Sequence, residues 1–172
     1  MIFIENEHIK CRATLSADLE FVKTAESDAE NSRFVSQWTI EQHLSAIGDE
    51  NQMHIIIEDV KTGKKVGYML VAGLKNNNNN IELRRIVITD KGHGYGRQSF
   101  ILMKQYIFDE LKAHRLWLDV KTYNERGRHL YKSEGFVEEG IMRESVLYNG
   151  QYDSMMIMSI LEHEYRAFVH ML

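Results

Sequence analysis

Between Lys91 and Arg97 the chain reads Lys-Gly-His-Gly-Tyr-Gly-Arg, with glycine at three alternate positions. The run before it, Ile81 to Thr89, is rich in β-branched residues and predicts a strand. After it, Phe100, Met103, Ile107 and Leu111 recur at helical spacing, with Ile101 and Phe108 widening the apolar stripe. A strand, a tight glycine turn and a helix from Gln98 onward must therefore follow one another. Glycine permits positive φ and close approach to the backbone, so such a loop gathers successive N–H groups into a concavity. The helix start adds unpaired donors and the positive end of a dipole, which suits a phosphate or pyrophosphate. Taken alone, the glycines also read as a tight strand-to-helix connection. Two nucleotide loops fail the test: no Lys-Ser/Thr follows as a Walker loop needs, and the Gly92-x-Gly94-x-Gly96 spacing differs from a dinucleotide fingerprint.

The surrounding pattern predicts a short strand at Ile9 to Ala13 and a helix through Ala17 to Ala25. Thr39-Ile-Glu-Gln42 has the capping-box form and starts a second helix. Met53 to Asp59 and Lys65 to Leu74 read as strands around the turn Lys61 to Lys64, and the asparagine run Asn76 to Asn80 as an exposed hairpin loop. Arg115 to Lys121 alternates as a strand, and Glu125 to Ser133 reads as a short helix. Phe136 to Tyr148 and Gln151 to Leu161 flank Asn149-Gly150, a strong hairpin signal, with a terminal helix over Glu162 to His170. Three consecutive strands joined by short loops make the sheet of this mixed α/β chain partly antiparallel.

The 172 residues suit one domain spanning 1–172. A net charge of −4, with no basic stripe, argues against nucleic acid as the partner. Cys11 is the one cysteine, so an intrachain disulfide is impossible and a reducing compartment is favoured. No apolar run approaches the roughly 20 residues of a membrane span, and the N-terminus lacks a signal-peptide pattern, so a cytoplasmic location is expected. The eight histidines have no metal-ligand spacing, and no metal is expected.

The second informative stretch is Asn124-Glu-Arg-Gly127-Arg-His-Leu130-Tyr131-Lys-Ser-Glu-Gly135-Phe136, one strand after the glycine-loop helix. Together with Lys91-Gly-His-Gly94-Tyr-Gly96, it resembles the GNAT superfamily of acetyl-CoA-dependent N-acetyltransferases. That family's phosphate loop is Gln/Arg-x-x-Gly-x-Gly/Ala, and its later motif is Asn-x-x-Ala-x-x-Leu-Tyr-x-x-x-Gly-Phe, here with Gly127 in place of the alanine. The likeness covers about Ile81 to Leu161 well, whereas the first fifty residues match only in element order. It implies a GNAT-like α/β (α+β) fold, a mostly antiparallel twisted sheet flanked by helices and ending in a β-hairpin.

The resemblance further implies that backbone amides around Lys91, Gly92, His93, Gly94, Tyr95, Gly96 and Arg97 hold the pyrophosphate of acetyl-CoA. Ile86, Val87 and Ile88 would pair their backbone with the pantetheine amides, and Asn124 would hydrogen-bond the same arm near the thioester. Tyr131 would be the general acid that protonates the departing thiolate, and Glu82 the general base, directly or through water. Read alone, Tyr131 is a half-buried packing aromatic, and Glu82 reads nearly as well as a solvent-facing carboxylate beside Arg84 or Arg85. The hairpin, with Tyr148-Asn-Gly-Gln-Tyr152-Asp153 and Met158-Ser, is similar to the branch holding ribosomal-protein N-terminal and spermidine acetyltransferases.

The expected acceptor is a primary amine, either a polyamine or a protein N-terminus. Other small amines, or an acetyl-CoA-binding module without turnover, are the alternatives. Glu26, Asp28, Glu30 and Glu41 are the carboxylates available to line a polyamine pocket, and Trp38 could wall it. His43 reads as a surface helix residue with a possible acid or base role. The long hairpin and exposed strand edges make a homodimer an expectation.

Overall fold

The computed structural model describes residues 1–171. Its elements run β1 (Ile2–Glu5), β2 (Ile9–Ala13), α1 (Leu19–Ser27), α2 (Ile40–Gly48), β3 (Gln52–Asp59), β4 (Lys65–Ala72), β5 (Asn80–Ile88), α3 (Tyr95–Asp109), β6 (Arg115–Lys121), α4 (Glu125–Ser133), β7 (Val137–Tyr148), β8 (Gln151–Leu161) and α5 (Glu162–His170). All eight strands join one sheet in the order β1-β2-β3-β4-β5-β6-β8-β7. Every neighbouring pair is antiparallel except β5 with β6.

Apolar side chains bury both faces of the sheet. On one face, Ile9, Ile55, Ile57, Met69, Leu116, Leu118, Met158 and Ile160 pack with Phe100, Met103, Ile107 and Phe108 of α3. On the other, Ile56, Tyr68, Leu70 and Val87 pack with Leu19, Val22 and Ala25 of α1. Burying each such side chain contributes about 1.5–3 kcal/mol against leaving it in water. The Thr39 capping box forms as the sequence predicts, with Thr39 Oγ1 accepting from Gln42 N–H at 3.2 Å and Gln42 Oε1 accepting from Thr39 N–H at 2.8 Å.

Two differences from expectation stand out. Strand β1 is additional: Phe3 and Ile4 pack on the core, and Asn6 Oδ1 accepts the His8 and Ile9 N–H groups to turn the chain into β2. Helix α3 begins at Tyr95, inside the glycine loop, because Gly94 serves as its N-cap with φ 78°.

Candidate active site

Strands β5 and β6 pair over Asn80–Glu82 and Arg115–Trp117 only. Beyond that point β5 stays with β4 and β6 stays with β8, so the two parallel strands part. One backbone edge of β5 from Leu83 to Ile88 is left without a strand partner. A β-bulge at Arg84 inserts one residue against Leu70 and Val71 of β4. It restores Ile86 and Ile88 to the core face used by Ile81 and Leu83, despite three-residue spacing between Leu83 and Ile86. Glu82 points to the opposite face, where α1 and α2 lie.

At the far end of β5, Gly92 and Gly94 adopt φ of 87° and 78°, values that side chains rarely tolerate. The first intrahelical bond of α3 runs from Gln98 N–H to Gly94 O, so the amides of Tyr95, Gly96 and Arg97 have no helical acceptor. The loop is braced from three sides. The Tyr95 hydroxyl donates to Asp59 Oδ2 at 2.8 Å, and Lys91 Nζ meets Glu30 Oε2 at 3.0 Å. Arg97 bonds Ser133 Oγ at 2.9 Å and pairs with Glu134.

The parting strands open a cleft of about 920 Å³ lined by Ile86, Val87, Ile88, the glycine loop and the start of α4. A smaller cavity of about 350 Å³ adjoins it, lined by Trp38, Glu82, Arg84, Arg85, Asp119 and Lys121 among others. Asn124 and Tyr131 line both. Asn124 caps α4, its Oδ1 accepting from Gly127 N–H at 3.0 Å, and its Nδ2 has no hydrogen-bond partner among the described residues. A Cβ on residue 127 would stand 3.0 Å from that Nδ2, so Gly127 gives the amide more room than alanine would.

Tyr131 is held on the core by Phe100, with ring centroids 5.1 Å apart, and by Phe136. Burial pushes its hydroxyl up to about 12, with the nearby Asp119 charge adding to the effect. At neutral pH the phenol therefore keeps its proton.

The structure gathers Ile86, Val87, Ile88, Lys91, Gly92, Gly94, Tyr95, Gly96, Arg97, Asn124 and Tyr131 around the large cleft. His93 stays outside it, with its ring mostly exposed and its Nδ1 3.2 Å from Asp90 Oδ1. Glu82 lines the smaller cavity and pairs with Arg84 at 2.9 Å.

Three readings of the early helices need correction. His43 is fully buried: its Nδ1 lies 3.0 Å from His54 Nε2, whose own Nδ1 is 2.8 Å from Thr14 Oγ1. Glu26 is no pocket carboxylate. It is fully buried, accepts from the Tyr68 hydroxyl at 2.6 Å and the Trp38 N–H at 3.0 Å, and pairs with Arg85. Asp28 and Glu41 line neither cavity, and Glu30 reaches only the large cleft at its Lys91 end. Trp38 does wall the smaller cavity, its ring 4.6 Å from the Arg85 guanidinium. Asp119, which the sequence offers only as one member of an alternating strand, lines the same cavity.

A strand edge laid open by splaying, an amide-rich loop and a phenol at the meeting of two cavities are the parts of an acyltransferase site. The chain belongs to the acetyltransferase (GNAT) domain family, whose model matches residues 9–137. It is 26% identical to the spermidine N(1)-acetyltransferase of Vibrio cholerae over 93% of this chain and 96% of that one. With the Escherichia coli K12 spermidine N(1)-acetyltransferase it shares 25% identity over 92% and 89% of the two chains. The crystal structure of the Vibrio cholerae spermidine N-acetyltransferase in complex with CoA and spermine superposes with a TM-score of 0.83. That match has 25% identity and covers 94% of this chain and 99% of that one.

Proposed function

We propose that this chain, acting as a single acetyltransferase domain, transfers the acetyl group of acetyl-CoA to a primary amine of a polyamine such as spermidine. The observation that carries the reading is Tyr131: a protonated phenol with no hydrogen-bond partner among the described residues, bordering both the large cleft and the smaller cavity. The large cleft has the parts that CoA needs. The amides of Tyr95, Gly96 and Arg97 face the pyrophosphate, the open β5 edge at Ile86–Ile88 takes the pantetheine amides, and Asn124 Nδ2 donates to the same arm. The smaller cavity takes the amine; of its two carboxylates Glu82 pairs with Arg84, and Asp119 has no ion partner among the described residues.

An ammonium has no lone pair, so one proton must leave before attack; Glu82 takes it, directly or through water. The neutral nitrogen attacks the thioester carbon in a ternary complex, a C–N bond forms and the C–S bond breaks. Tyr131 gives its proton to the departing sulfur, and the second nitrogen proton restores the phenol. The net products are the N-acetyl amine, CoA thiol and one proton.

The polyamine acceptor is supported by the named activities of relatives that match nearly end to end. The exposed Val137, Ile141 and Leu147 on the β7 edge support a homodimer as part of the same reading. A cytoplasmic setting is supported by the lone cysteine: Cys11 is buried, and burial pushes its thiol up to about 12, so it is suited neither to a disulfide nor to catalysis. No helix among the described residues is long and apolar enough to cross a membrane.

Thiol release from acetyl-CoA across spermidine, spermine, simple monoamines and peptides with free N-termini tests the proposal. Polyamines should give the highest kcat/KM. Acetyl-CoA binding without thiol release for any amine would reduce the chain to a binding module.

A further inference from the structure

Five charged side chains line the amine-side cavity: Glu82, Arg84, Arg85, Asp119 and Lys121. Four of them already have ion partners. Glu82 pairs with Arg84 at 2.9 Å, Arg85 with the buried Glu26, and Lys121 with Asp153 at 2.9 Å. The Lys121 ammonium also sits 3.9 Å from the centre of the Tyr148 ring. Asp119 has no ion pair and no side-chain hydrogen bond to another residue among the described residues; its carboxylate meets only its own backbone N–H.

Its place in the fold explains why it is free. Asp119 stands two residues beyond Trp117, the last β6 residue paired with β5, where the strands have begun to part. Alternation along β6 puts Leu118 and Val120 into the core, and Asp119 on the opposite face with Trp117 and Lys121. The groups facing it are Glu82 and Arg84 from β5, Lys121 from its own strand and Tyr131 from α4.

We propose that Asp119 receives the acceptor: its carboxylate docks the reacting ammonium of the polyamine beside Tyr131 and takes the proton that nitrogen must lose before attack. The inference rests on the polyamine-acetylation reading above and makes the role of Glu82 indirect. The nitrogen–hydrogen bond breaks, its electron pair stays on nitrogen, and the proton moves to an Asp119 oxygen and then to solvent by way of Glu82.

Three considerations support the assignment. A cavity for a cation needs an uncompensated anion, and Asp119 is the one available there. Burial, reinforced by the Glu82 charge, moves its carboxyl above the usual aspartate range, toward the basicity that proton abstraction uses. A half-buried, unpaired carboxylate also costs stability, the sign of a group retained for work rather than for folding.

The test is steady-state kinetics of wild type, Asp119→Asn and Asp119→Glu with spermidine and acetyl-CoA, from pH 6 to 9. Asp119→Asn keeps the shape and removes an unpaired charge, so it should fold at least as stably as wild type. We expect its kcat/KM for spermidine to fall by at least about tenfold, with KM rising. Acetyl-CoA affinity should stay within about twofold, and Asp119→Glu should recover part of the loss. If Asp119→Asn does not fold, Asp119→Ser read in the same assay decides. A wild type active on spermidine with a neutral variant that matches it at every pH overturns this inference alone. A wild type that acetylates no polyamine removes the underlying reading and the inference with it.

Discussion

Tyr131 shows how a residue ordinary in isolation becomes a catalytic candidate through its surroundings. Its ring packs on Phe100 while its hydroxyl has no hydrogen-bond partner among the described residues, so the side chain has a packing role and a free polar end. Tyr131→Phe keeps the ring and deletes only the proton donor. We predict that kcat with the best amine falls about 10²- to 10⁴-fold while acetyl-CoA affinity stays nearly constant. Single-turnover thiol release and calorimetric acetyl-CoA binding check the two halves separately, and unchanged turnover would remove the acid role. Tyr131 and Asn124 were legible because they sit in one short motif with fixed spacing. Asp119 was not, because a carboxylate in an alternating strand tells only that it faces away from its neighbours' core side. What lies on that side depends on the parting of β5 and β6. Glu26 and His43 were misread for a related reason: charge and amphipathic position predict exposure, whereas their partners Arg85, Tyr68 and His54 come from strands far along the chain.

At the scale of elements, most strands and helices were readable because alternation and helical periodicity were both clean. Strand β1 escaped because four residues carry too little pattern, although Asn6 and its turn were a usable signal. The bulge at Arg84 left a trace as well, the break from two-residue to three-residue spacing between Leu83 and Ile86. The placing of β5 depends on one close approach. Gly67 on β4 pairs with Ile88, and a Cβ there would fall 2.3 Å from the Val87 carbonyl oxygen. That obstacle is backbone, so the strand itself must move rather than a side-chain end. Gly67→Ala should therefore cost about 1–3 kcal/mol in denaturant unfolding. Because Ile86–Ile88 is the edge assigned to pantetheine, acetyl-CoA affinity should fall too. A variant as stable as wild type would show that β5 can shift freely at this point.

Across the whole molecule, one buried polar chain fastens the α1 and α2 layer to the sheet. It runs from Thr14 through His54 and His43 to Glu26, and on to Tyr68 and Arg85, which in turn bonds Ser36 at 2.9 Å. His43 Nε2 lies 3.2 Å from Glu26 Oε1, close but not aligned as a hydrogen bond. Burial first, then the neighbouring His43, pulls His54 down to about 3. Burial alone would raise Glu26, but His43, the Tyr68 hydroxyl, the Trp38 N–H and the Arg85 charge outweigh it and hold the carboxyl at about 2. Both shifts act in the same direction. The unfolded chain protonates its histidine near pH 6.5 while the folded one resists, so stability from His54 is lost as the pH falls from about 6.5 toward 3. Glu26 contributes stability above its unfolded value near 4.5, and this is lost as the pH falls through 4.5 toward about 2. The unfolding free energy from urea titrations should therefore begin to drop just below pH 6.5, by roughly 2 kcal/mol at pH 5 from His54, and then more steeply below 4.5. In His54→Asn the first of these declines should be clearly smaller, from a lower starting stability. An equal slope between pH 6.5 and 5 in both proteins would place the acid sensitivity elsewhere than this buried chain.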